Sequence, residues 1–370
     1  MSQENPNLEE EKFGKILNQA YIRRGIIIFV GISIISMICI NFYNSDSDAD
    51  ELVNAFKEIK FAFLGVAFLM IIFDWWIGGI RNHIFVRHTN PGISQRVCFD
   101  ANLANIFLGA VTPSQTGGGP AHLYMLWRGG VKFTDGVAVS VMNYISTIVF
   151  FVASTGIAIF HLEKIIPNNH FSLDILIKSG FYIFTTGFIV VLISLLAPER
   201  MGKLLVRLGS KLKAIFPNRF KNLDSRAQKL AAELQNYHKT IKFFLISKPL
   251  LLPLSFVITC IMYFNKYALA FVLLLGLGID ADFWTIIGIQ AILFFMLYHA
   301  PSPGASGIAE ISINGLMSSI LLGPVLTTFT ILHRIFLLWL GAFIGGFVMF
   351  RELKKHNAEQ QIAVDKSDKS

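Results

Sequence analysis

Long apolar segments separated by short polar ones dominate the chain. Six are long enough to cross a bilayer as helices, at 25–43, 61–80, 136–160, 177–197, 250–277 and 325–350. The first holds 19 residues without a charge, and at ~1.5 Å per residue it spans ~28 Å, close to the thickness of a hydrocarbon core. It is too long for a signal-peptide core and lacks an Ala-x-Ala cleavage site, which indicates an uncleaved helix. The pattern therefore predicts an all-α polytopic membrane protein with about six full transmembrane helices.

Two further apolar stretches are interrupted by proline and glycine. Residues 98–111 run into the first break, 112–120, which reads Thr-Pro-Ser-Gln-Thr-Gly-Gly-Gly-Pro, and residues 283–299 run into the second break, 300–307, which reads Ala-Pro-Ser-Pro-Gly-Ala-Ser-Gly. Because proline lacks an N–H donor and glycine admits positive φ, neither stretch is expected to continue as a helix. Non-helical backbone at membrane depth is tolerated only inside protein or beside a watery cavity. We therefore predict two re-entrant hairpins or broken helices.

The two breaks occupy matching places in the two halves of the chain, about 25–160 and 177–350. Pro113-Ser114 lies in the first half and Pro301-Ser302 in the second, and each pair follows an apolar run and precedes a full span. Interrupted segments at matching positions of two halves are typical of transporter binding sites. In the topology below, the breaks enter the membrane from opposite sides, which predicts an inverted repeat. Two unrelated helix kinks are the alternative.

The basic residues indicate the orientation. With the N-terminal tail, 1–24, in the cytoplasm, the inner segments hold 26 of the 32 Lys and Arg residues and the outer loops hold 4; Arg81 is counted with the inner loop 81–97. This asymmetry follows the positive-inside rule. We expect a multi-pass protein of the cytoplasmic (inner) cell membrane, with both termini, including the tail 351–370, in the cytoplasm. The inner loop 198–248 contains a basic amphipathic helix that is expected to lie on the membrane surface.

Composition agrees with this class. Of the 370 residues, 54% are apolar and 15% are charged, against ~25% charged in an ordinary soluble domain, and the mean hydropathy is +0.57. A soluble fold could not cover its surface with so few charges. The net charge of +8 is explained by the inner loops, so no nucleic-acid partner is expected. The three cysteines form no CxxC pair, which argues against a disulfide framework or a zinc site.

The first break carries groups that suit an anion. Bare glycine backbone and freed helix N-termini, which carry partial positive charge, allow a phosphate to approach closely, and the neighbouring side chains add donors. The candidate binding residues there are Thr112, Pro113, Ser114, Gln115, Thr116, Gly117, Gly118, Gly119 and His122. We expect them to form a cradle for an anionic or phosphate lipid headgroup. No Walker A loop is present, and no catalytic residue, metal ligand or cofactor is predicted.

Ionisable groups inside apolar spans are costly unless they are paired or functional. Glu310 follows the second break and Arg334 lies in the last span. We expect both to face the bundle interior and to balance charge, the alternative being an ion pair that only locks the last helices. The second break completes the candidate set with Ser302, Gly304 and Gly307. Asp74 and Lys266 also lie in spans, and an interfacial position near the inner surface is the default for Asp74.

Both breaks carry motifs of a known family. T-P-S-x-x-G-G-x-P at 112–120 with R-G-G-V at 128–131, and P-x-P-G-x-x-G-x-x-E at 301–310 with the late Arg334, resemble the integral-membrane, flippase-like region of lysylphosphatidylglycerol synthases and their stand-alone relatives. The resemblance covers about residues 20–350. It implies a lipid-translocation fold in the cytoplasmic membrane.

This chain departs from the family pattern at three points. Some members are fused to a soluble aminoacyltransferase domain, whereas only about twenty residues follow Phe350 here, so no such domain is expected. Residues 304–307 read Gly-Ala-Ser-Gly where the family usually has Gly-Gly-Leu-Gly. Asn143-Tyr144 stands where many members carry an acid–arginine pair. These departures leave the lipid substrate open.

Three functions remain open at this point. The leading one is a flippase-like transporter that moves a phospholipid or lipid-linked headgroup between leaflets. The second is a membrane-embedded transferase with a lipid-linked donor, in which Asp48-x-Asp50 or Asp280-x-Asp282 could hold a divalent ion. The third is a non-catalytic membrane scaffold. Membrane lipids are the expected partners, and a homo-oligomer or a partner membrane enzyme is left open.

Overall fold

The structure is a computed structural model that describes residues 19–43, 54, 56–162, 242–298 and 300–367, together with the isolated positions 182, 185, 186, 189, 193, 203, 204, 206, 207 and 210. Every regular element in these residues is a helix, which confirms the predicted all-α class. The predicted N-terminal tail, the span at 177–197 and the loop 198–248 lie largely outside the described residues.

Ten α-helices have both ends within the described residues: α1 Gln19–Tyr43, α2 Phe61–Thr89, α3 Gln95–Val111, α4 Gly118–Arg128, α5 Phe133–Leu162, α6 Leu251–Gly276, α7 Phe283–Tyr298, α8 Ile308–Met317, α9 Gly323–Arg334 and α10 Leu340–Ser367. Residues 242–247 are helical as well. Two 3₁₀ turns, Pro113–Gln115 and Pro303–Ala305, lie within the breaks. A π-helical turn, Ile335–Trp339, joins α9 to α10.

Four helical stretches in the described residues are long and apolar enough to cross a membrane, at 61–89, 133–160, 251–276 and 323–359. They correspond to the spans predicted at 61–80, 136–160, 250–277 and 325–350, and α1 contains the span predicted at 25–43. Two helices extend well beyond the C-terminal ends of the predicted spans. The helix α2 continues to Thr89, so Arg81 belongs to it. The helix α10 continues to Ser367, so most of the predicted C-terminal tail is helical.

The same order of elements occurs twice. The corresponding starts are Phe61 and Leu251 for α2 and α6, Pro113 and Pro303 for the 3₁₀ turns, Gly118 and Ile308 for α4 and α8, and Phe133 and Gly323 for α5 and α9. The separation along the chain is identical for all of these pairs. The structure therefore matches Pro113 with Pro303 rather than with Pro301, which corrects the alignment of the breaks expected from the sequence.

The contacts between helices also correspond in the two halves. The helix α3 packs along α10, α7 packs along α5, and α2 packs against α6. Glycine permits the close approaches: a Cβ at Gly345 would collide with the carbonyl of Leu103, and one at Gly78 would lie 2.5 Å from Asn102 Nδ2. Small residues at helix contacts are typical of membrane bundles. Large apolar side chains such as Phe61 (76% exposed) and Phe343 (77% exposed) cover the outside, as a lipid-facing surface requires.

The two breaks have the same backbone form and contact each other. Each 3₁₀ turn begins with proline and continues with two residues of positive φ, Ser114 (51°) and Gln115 (55°) in the first turn and Gly304 (58°) and Ala305 (56°) in the second. In both turns the next N–H donates back to the proline carbonyl at 3.1 Å. The sequence similarity of the breaks therefore reflects a shared local structure.

Candidate functional site

A cavity of about 230 Å³ lies beside the meeting point of the two breaks. Its wall is formed by α2, α3, α5, α6, α7, α9, the π-helical turn and both 3₁₀ turns. The polar and charged residues of the wall are Asp74, Arg81, Asn102, Asn105, Gln115, Tyr263, Lys266, Tyr298, His333 and Arg334. Concave sites that combine apolar walls with a few convergent polar groups are the usual places for ligands. This cavity is therefore the candidate site.

One buried ion pair closes the cavity at the second break. Arg334 Nε lies 2.9 Å from Glu310 Oε1, and the two side chains are 4% and 1% exposed. Arg334 Nη2 also donates to Gly304 O at 2.9 Å and to Ser306 Oγ at 3.0 Å. Glu310 Oε2 accepts the Gly307 N–H at 2.6 Å, so the acid also caps α8. Both residues face the interior. The Nε–Oε1 contact lacks hydrogen-bond geometry, so the hydrogen bonds of Arg334 to protein are those of Nη2.

A second ion pair joins α2 and α6 across the cavity. Asp74 Oδ2 lies 3.0 Å from Lys266 Nζ. Asp74 is buried, and its Oδ1 has no hydrogen-bond partner among the described residues. Lys266 Nζ also lies 5.7 Å from the centre of the Tyr263 ring, a cation–π distance. The structure thus places Asp74 inside the bundle rather than at the interface.

Arg81 is the third cation of the wall. Its Nη1 donates to Thr147 Oγ1 at 2.9 Å and to Thr259 Oγ1 at 3.2 Å, which connects α2 to α5 and α6. Its Nε is buried without a hydrogen-bond partner in the described part of the chain. Arg81 therefore lies in the cavity wall and not in an inner loop, where the sequence pattern had placed it.

Neutral polar groups complete the wall. His333 Nε2 and Gln290 Oε1 lie 3.0 Å apart, so the ring N–H donates to the amide oxygen. Its Nδ1 has no partner among the described residues, which leaves an acceptor there. Asn102 Nδ2 donates to the carbonyl of Trp75 at 3.2 Å. These contacts fix the wall without adding charge.

In the first break, the side chains of Thr112 and Thr116 form hydrogen bonds with backbone groups nearby in the chain. Thr112 Oγ1 donates to Leu108 O at 2.5 Å and accepts the Gly117 N–H at 2.8 Å, which closes the end of α3. Thr116 Oγ1 donates to Pro113 O at 2.9 Å. The side chains at 113–116 are exposed, and of these only that of Gln115 belongs to the cavity wall.

His122 also lies away from the cavity wall. It is 5% exposed on α4, and its Nδ1 is 3.0 Å from Ser140 Oγ. Because the Ser140 hydroxyl donates to Gly136 O at 3.0 Å, the histidine Nδ1 carries the hydrogen. Its Nε2 is buried without a partner among the described residues. His122 thus belongs to the α4–α5 contact.

Five of the fourteen predicted binding residues gather at the cavity. Gln115, Gly304 and Arg334 are part of the wall, and Gly307 and Glu310 lie behind Arg334. The other nine lie outside the wall: Thr112, Pro113, Ser114, Thr116, Gly117, Gly118, Gly119, His122 and Ser302. The predicted site thus converges on the second break more than on the first.

Sequence reasoning missed three groups of the wall for different reasons. Asp74 and Lys266 carried the signal of charge within a span, but nothing in the sequence pairs residues so far apart. Arg81 was hidden because the apolar run ends at residue 80, although the helix continues. The π-helical turn had no sequence signal; it directly follows Arg334, and its Leu337 and Leu338 line the cavity. Such turns occur frequently at functional sites.

The Asp-x-Asp patterns receive no support as a metal site within the described residues. Asp282 Oδ2 accepts the N–H and the hydroxyl of Thr285, both at 2.8 Å, and so caps α7. No group of three or more His, Cys, Asp or Glu side chains that could hold a metal occurs in the described part of the chain. Asp48 and Asp50 lie outside it.

Comparisons with known proteins agree with these motifs. The family model for the lysylphosphatidylglycerol synthase TM region matches residues 26–345, which include both breaks and the whole cavity wall. A UPF0104 membrane protein of Archaeoglobus fulgidus is 25% identical over 291 residues, which cover 78% of this chain and 86% of that protein. No solved structure matches. The chain therefore belongs to the lysylphosphatidylglycerol synthase TM region family.

Proposed function

We propose that this protein is a flippase-like transporter of the cytoplasmic membrane that moves a phospholipid or a lipid-linked headgroup between leaflets. The observation that carries this proposal is the charged cavity inside a bundle whose outer faces are apolar. A headgroup that crosses hydrocarbon needs a polar environment, because a charged group at the bilayer centre is costly. Asp74, Arg81, Lys266 and Arg334 supply that environment.

An apolar groove of about 360 Å³ supports the same proposal. It lies between α1, α3 and α10 and is lined mainly by Phe29, Phe107, Phe343, Phe347 and Phe350. The ring of Phe29 also packs against Gly304 of the cavity wall, since a Cβ there would lie 2.6 Å from Phe29 Cε2. A headgroup in the cavity and an acyl chain in the groove would therefore be neighbours, as they are in one lipid molecule.

The proposed mechanism is alternating access. The two halves act as inverted repeats that rock against each other and open the cavity to either leaflet. The equal spacing of four pairs of corresponding elements, the contact between the breaks and the bias of basic residues support this arrangement, with both termini in the cytoplasm. The charges of Glu310 and Arg334 balance each other at the second break, and Gln115 is the side chain of the first break that contributes to the cavity wall.

Transport in reconstituted vesicles tests the proposal. Phospholipids labelled on the headgroup are placed in both leaflets, and a membrane-impermeant reductant removes the outer label. A second, slower loss of label then reports crossing. We expect the protein to accelerate crossing over protein-free vesicles, and Lys266→Gln to abolish most of this acceleration.

The matched control is Lys355→Gln, which removes the same charge from an exposed site on α10. It is expected to leave transport unchanged. A panel of anionic phospholipids, zwitterionic phospholipids and lipid-linked sugars covers the open question of substrate. If the protein accelerates the crossing of no lipid in the panel, the proposal is wrong.

A further inference from the structure

We propose that Arg81 is the phosphate-binding residue of the cavity and that the cavity selects lipids whose headgroup carries one net negative charge. This inference names the substrate class of the proposed transporter and so rests on that function for its biological meaning. The site itself is testable by binding alone.

The donors of Arg81 are only partly used. A guanidinium has five N–H donors. Both hydrogens of Nη1 are directed to the hydroxyl oxygens of Thr147 and Thr259. Thr259 Oγ1 donates its own hydrogen to Ser255 O at 2.7 Å, so it acts as an acceptor for Arg81. The threonines thus hold one end of the guanidinium, while Nε is buried without a hydrogen-bond partner in the described residues.

Arg81 has no carboxylate in direct contact among the described residues. The other two cations of the wall each have a carboxylate within 3.0 Å, Lys266 with Asp74 and Arg334 with Glu310. No carboxylate of the described chain lies within ion-pair distance of the Arg81 guanidinium; Asp74 attracts it from farther away but is paired with Lys266. A partly buried cation without a carboxylate in contact is less favourable than a paired one, and a bound anion would reduce that cost.

The charge balance indicates one phosphodiester. Three cations (Arg81, Lys266 and Arg334) face two carboxylates (Asp74 and Glu310), and His333 is neutral when its Nε2–H donates to Gln290 and its Nδ1 is unprotonated. The excess is a single positive charge, which one phosphodiester neutralises.

The geometry of the donors fits such a group. A guanidinium binds phosphate oxygens through paired donors. The Lys266 ammonium, held by Asp74 through one of its three donors, can add another contact from the same wall.

Binding of defined, short-chain lipids to the purified full-length protein tests this site. Dihexanoyl-phosphatidylglycerol carries the monoanionic phosphodiester, dihexanoyl-phosphatidylcholine has the same phosphodiester with a compensating cation, and glycerol phosphate represents free phosphate. Native mass spectrometry or a thermal shift titration measures each affinity. We expect the anionic lipid to bind at least about tenfold more tightly than the other two ligands. Equal binding of the two lipids would overturn the charge selection, and equal binding of glycerol phosphate would assign the site to a soluble anion.

Arg81→Gln, which keeps a donor for the threonines but removes the charge, is expected to weaken binding of the anionic lipid by at least about tenfold. Arg87→Gln is the matched control, since it removes the same charge from an exposed position on the same helix. It is expected to leave binding unchanged. Full-strength binding to Arg81→Gln, or an equal loss in both variants, would overturn the assignment.

A second variant separates binding from folding. Asp74→Asn raises the excess of positive charge from one to two, so tighter binding of the anionic lipid is expected, a result that loss of structure could not produce. Weaker or unchanged binding in this variant would contradict the charge argument. The two proposals also fail separately. Binding through Arg81 without accelerated crossing would refute only transport, whereas transport that is unchanged in Arg81→Gln would refute only the phosphate site.

Discussion

The two breaks have the same backbone but are held in different ways. The first turn is exposed, and hydrogen bonds from Thr112 and Thr116 to neighbouring backbone support it. The second turn is buried, and Arg334 holds it through Gly304 and Ser306. The Ser306 hydroxyl also lies 2.7 Å from Ser33 Oγ of α1. One turn is therefore stabilised locally, and the other by residues from distant parts of the chain.

The second turn is held by a charged pair that the first turn lacks. In the alignment that matches Pro113 with Pro303, Pro120 and Tyr144 of the first half correspond to Glu310 and Arg334 of the second. Asn143, beside Tyr144, instead donates to Asn82 Oδ1 at 2.7 Å. The first half thus holds its helices together with neutral amides at the place where the second half uses an ion pair. The excess positive charge of the cavity comes from Arg81 on α2.

The largest expected effect is that of Glu310→Gln. The substitution leaves Arg334 charged and buried without a counter-ion, which costs about 3–5 kcal/mol. Tyr144→Phe, at the position that corresponds to Arg334, is expected to change stability by less than about 0.5 kcal/mol because this tyrosine is partly exposed. Unfolding of the purified protein in detergent measures both. The double variant Glu310→Gln with Arg334→Met should recover much of the loss, and a double variant no more stable than the single one would contradict the ion-pair explanation.

The next largest effect on stability is expected for Gly304→Ala, because the second turn has less space around it than the first. Alanine at Gly304 would take a left-handed φ of 58° and place its Cβ 2.6 Å from the Phe29 ring, so a loss of about 1–3 kcal/mol is expected. Ser114→Ala introduces the same side chain at the corresponding position, where a Cβ is already present and exposed, and should change stability by less than about 0.5 kcal/mol. Comparable losses in the two variants would show that both turns are equally confined.

A smaller effect is expected within the first break. Thr112→Val keeps the shape of the side chain but leaves the Gly117 N–H without its acceptor, at a cost of about 1 kcal/mol. Thr116→Val removes an exposed hydrogen bond and should cost less than about 0.5 kcal/mol. The same detergent unfolding assay measures the two variants. If Thr112→Val instead abolished lipid binding at unchanged stability, the threonine would act in the site rather than in the turn.

The smallest effect concerns the starts of α3 and α7. The backbone N–H of Thr285, together with its hydroxyl, lowers the pKa of Asp282, whereas Ser94 makes no side-chain cap at the start of α3. Because the folded pKa is depressed, the contribution of Asp282 is present above the unfolded pKa of about 4 and is lost as the pH falls through the folded value. Asp282→Ala should therefore lower the unfolding temperature at pH 6 but not at pH 2. Ser94→Ala should show no such pH dependence.

Much of the fold follows from patterns that act locally. The apolar runs predict the spans, since each helix must cross the hydrocarbon by itself. Proline and glycine predict the breaks, and an ionisable group within a span predicts that Glu310 and Arg334 lie inside. Local patterns do not show which hydrogen bonds the side chains of the first break make. The Thr112 hydroxyl could donate to a phosphate, but it donates to Leu108 O and its oxygen accepts the Gly117 N–H.

The amino-acid sequence by itself determined the membrane class, most of the helix positions, the two breaks and the interior charges, because hydropathy and backbone restrictions depend on neighbouring residues. Only the tertiary structure decided which of these groups meet. Asp74 and Lys266 pair because α2 and α6 pack face to face, and Arg81 reaches the cavity because α2 continues beyond its apolar run. Contacts between distant helices depend on which faces pack together, and that choice is made by the fold as a whole.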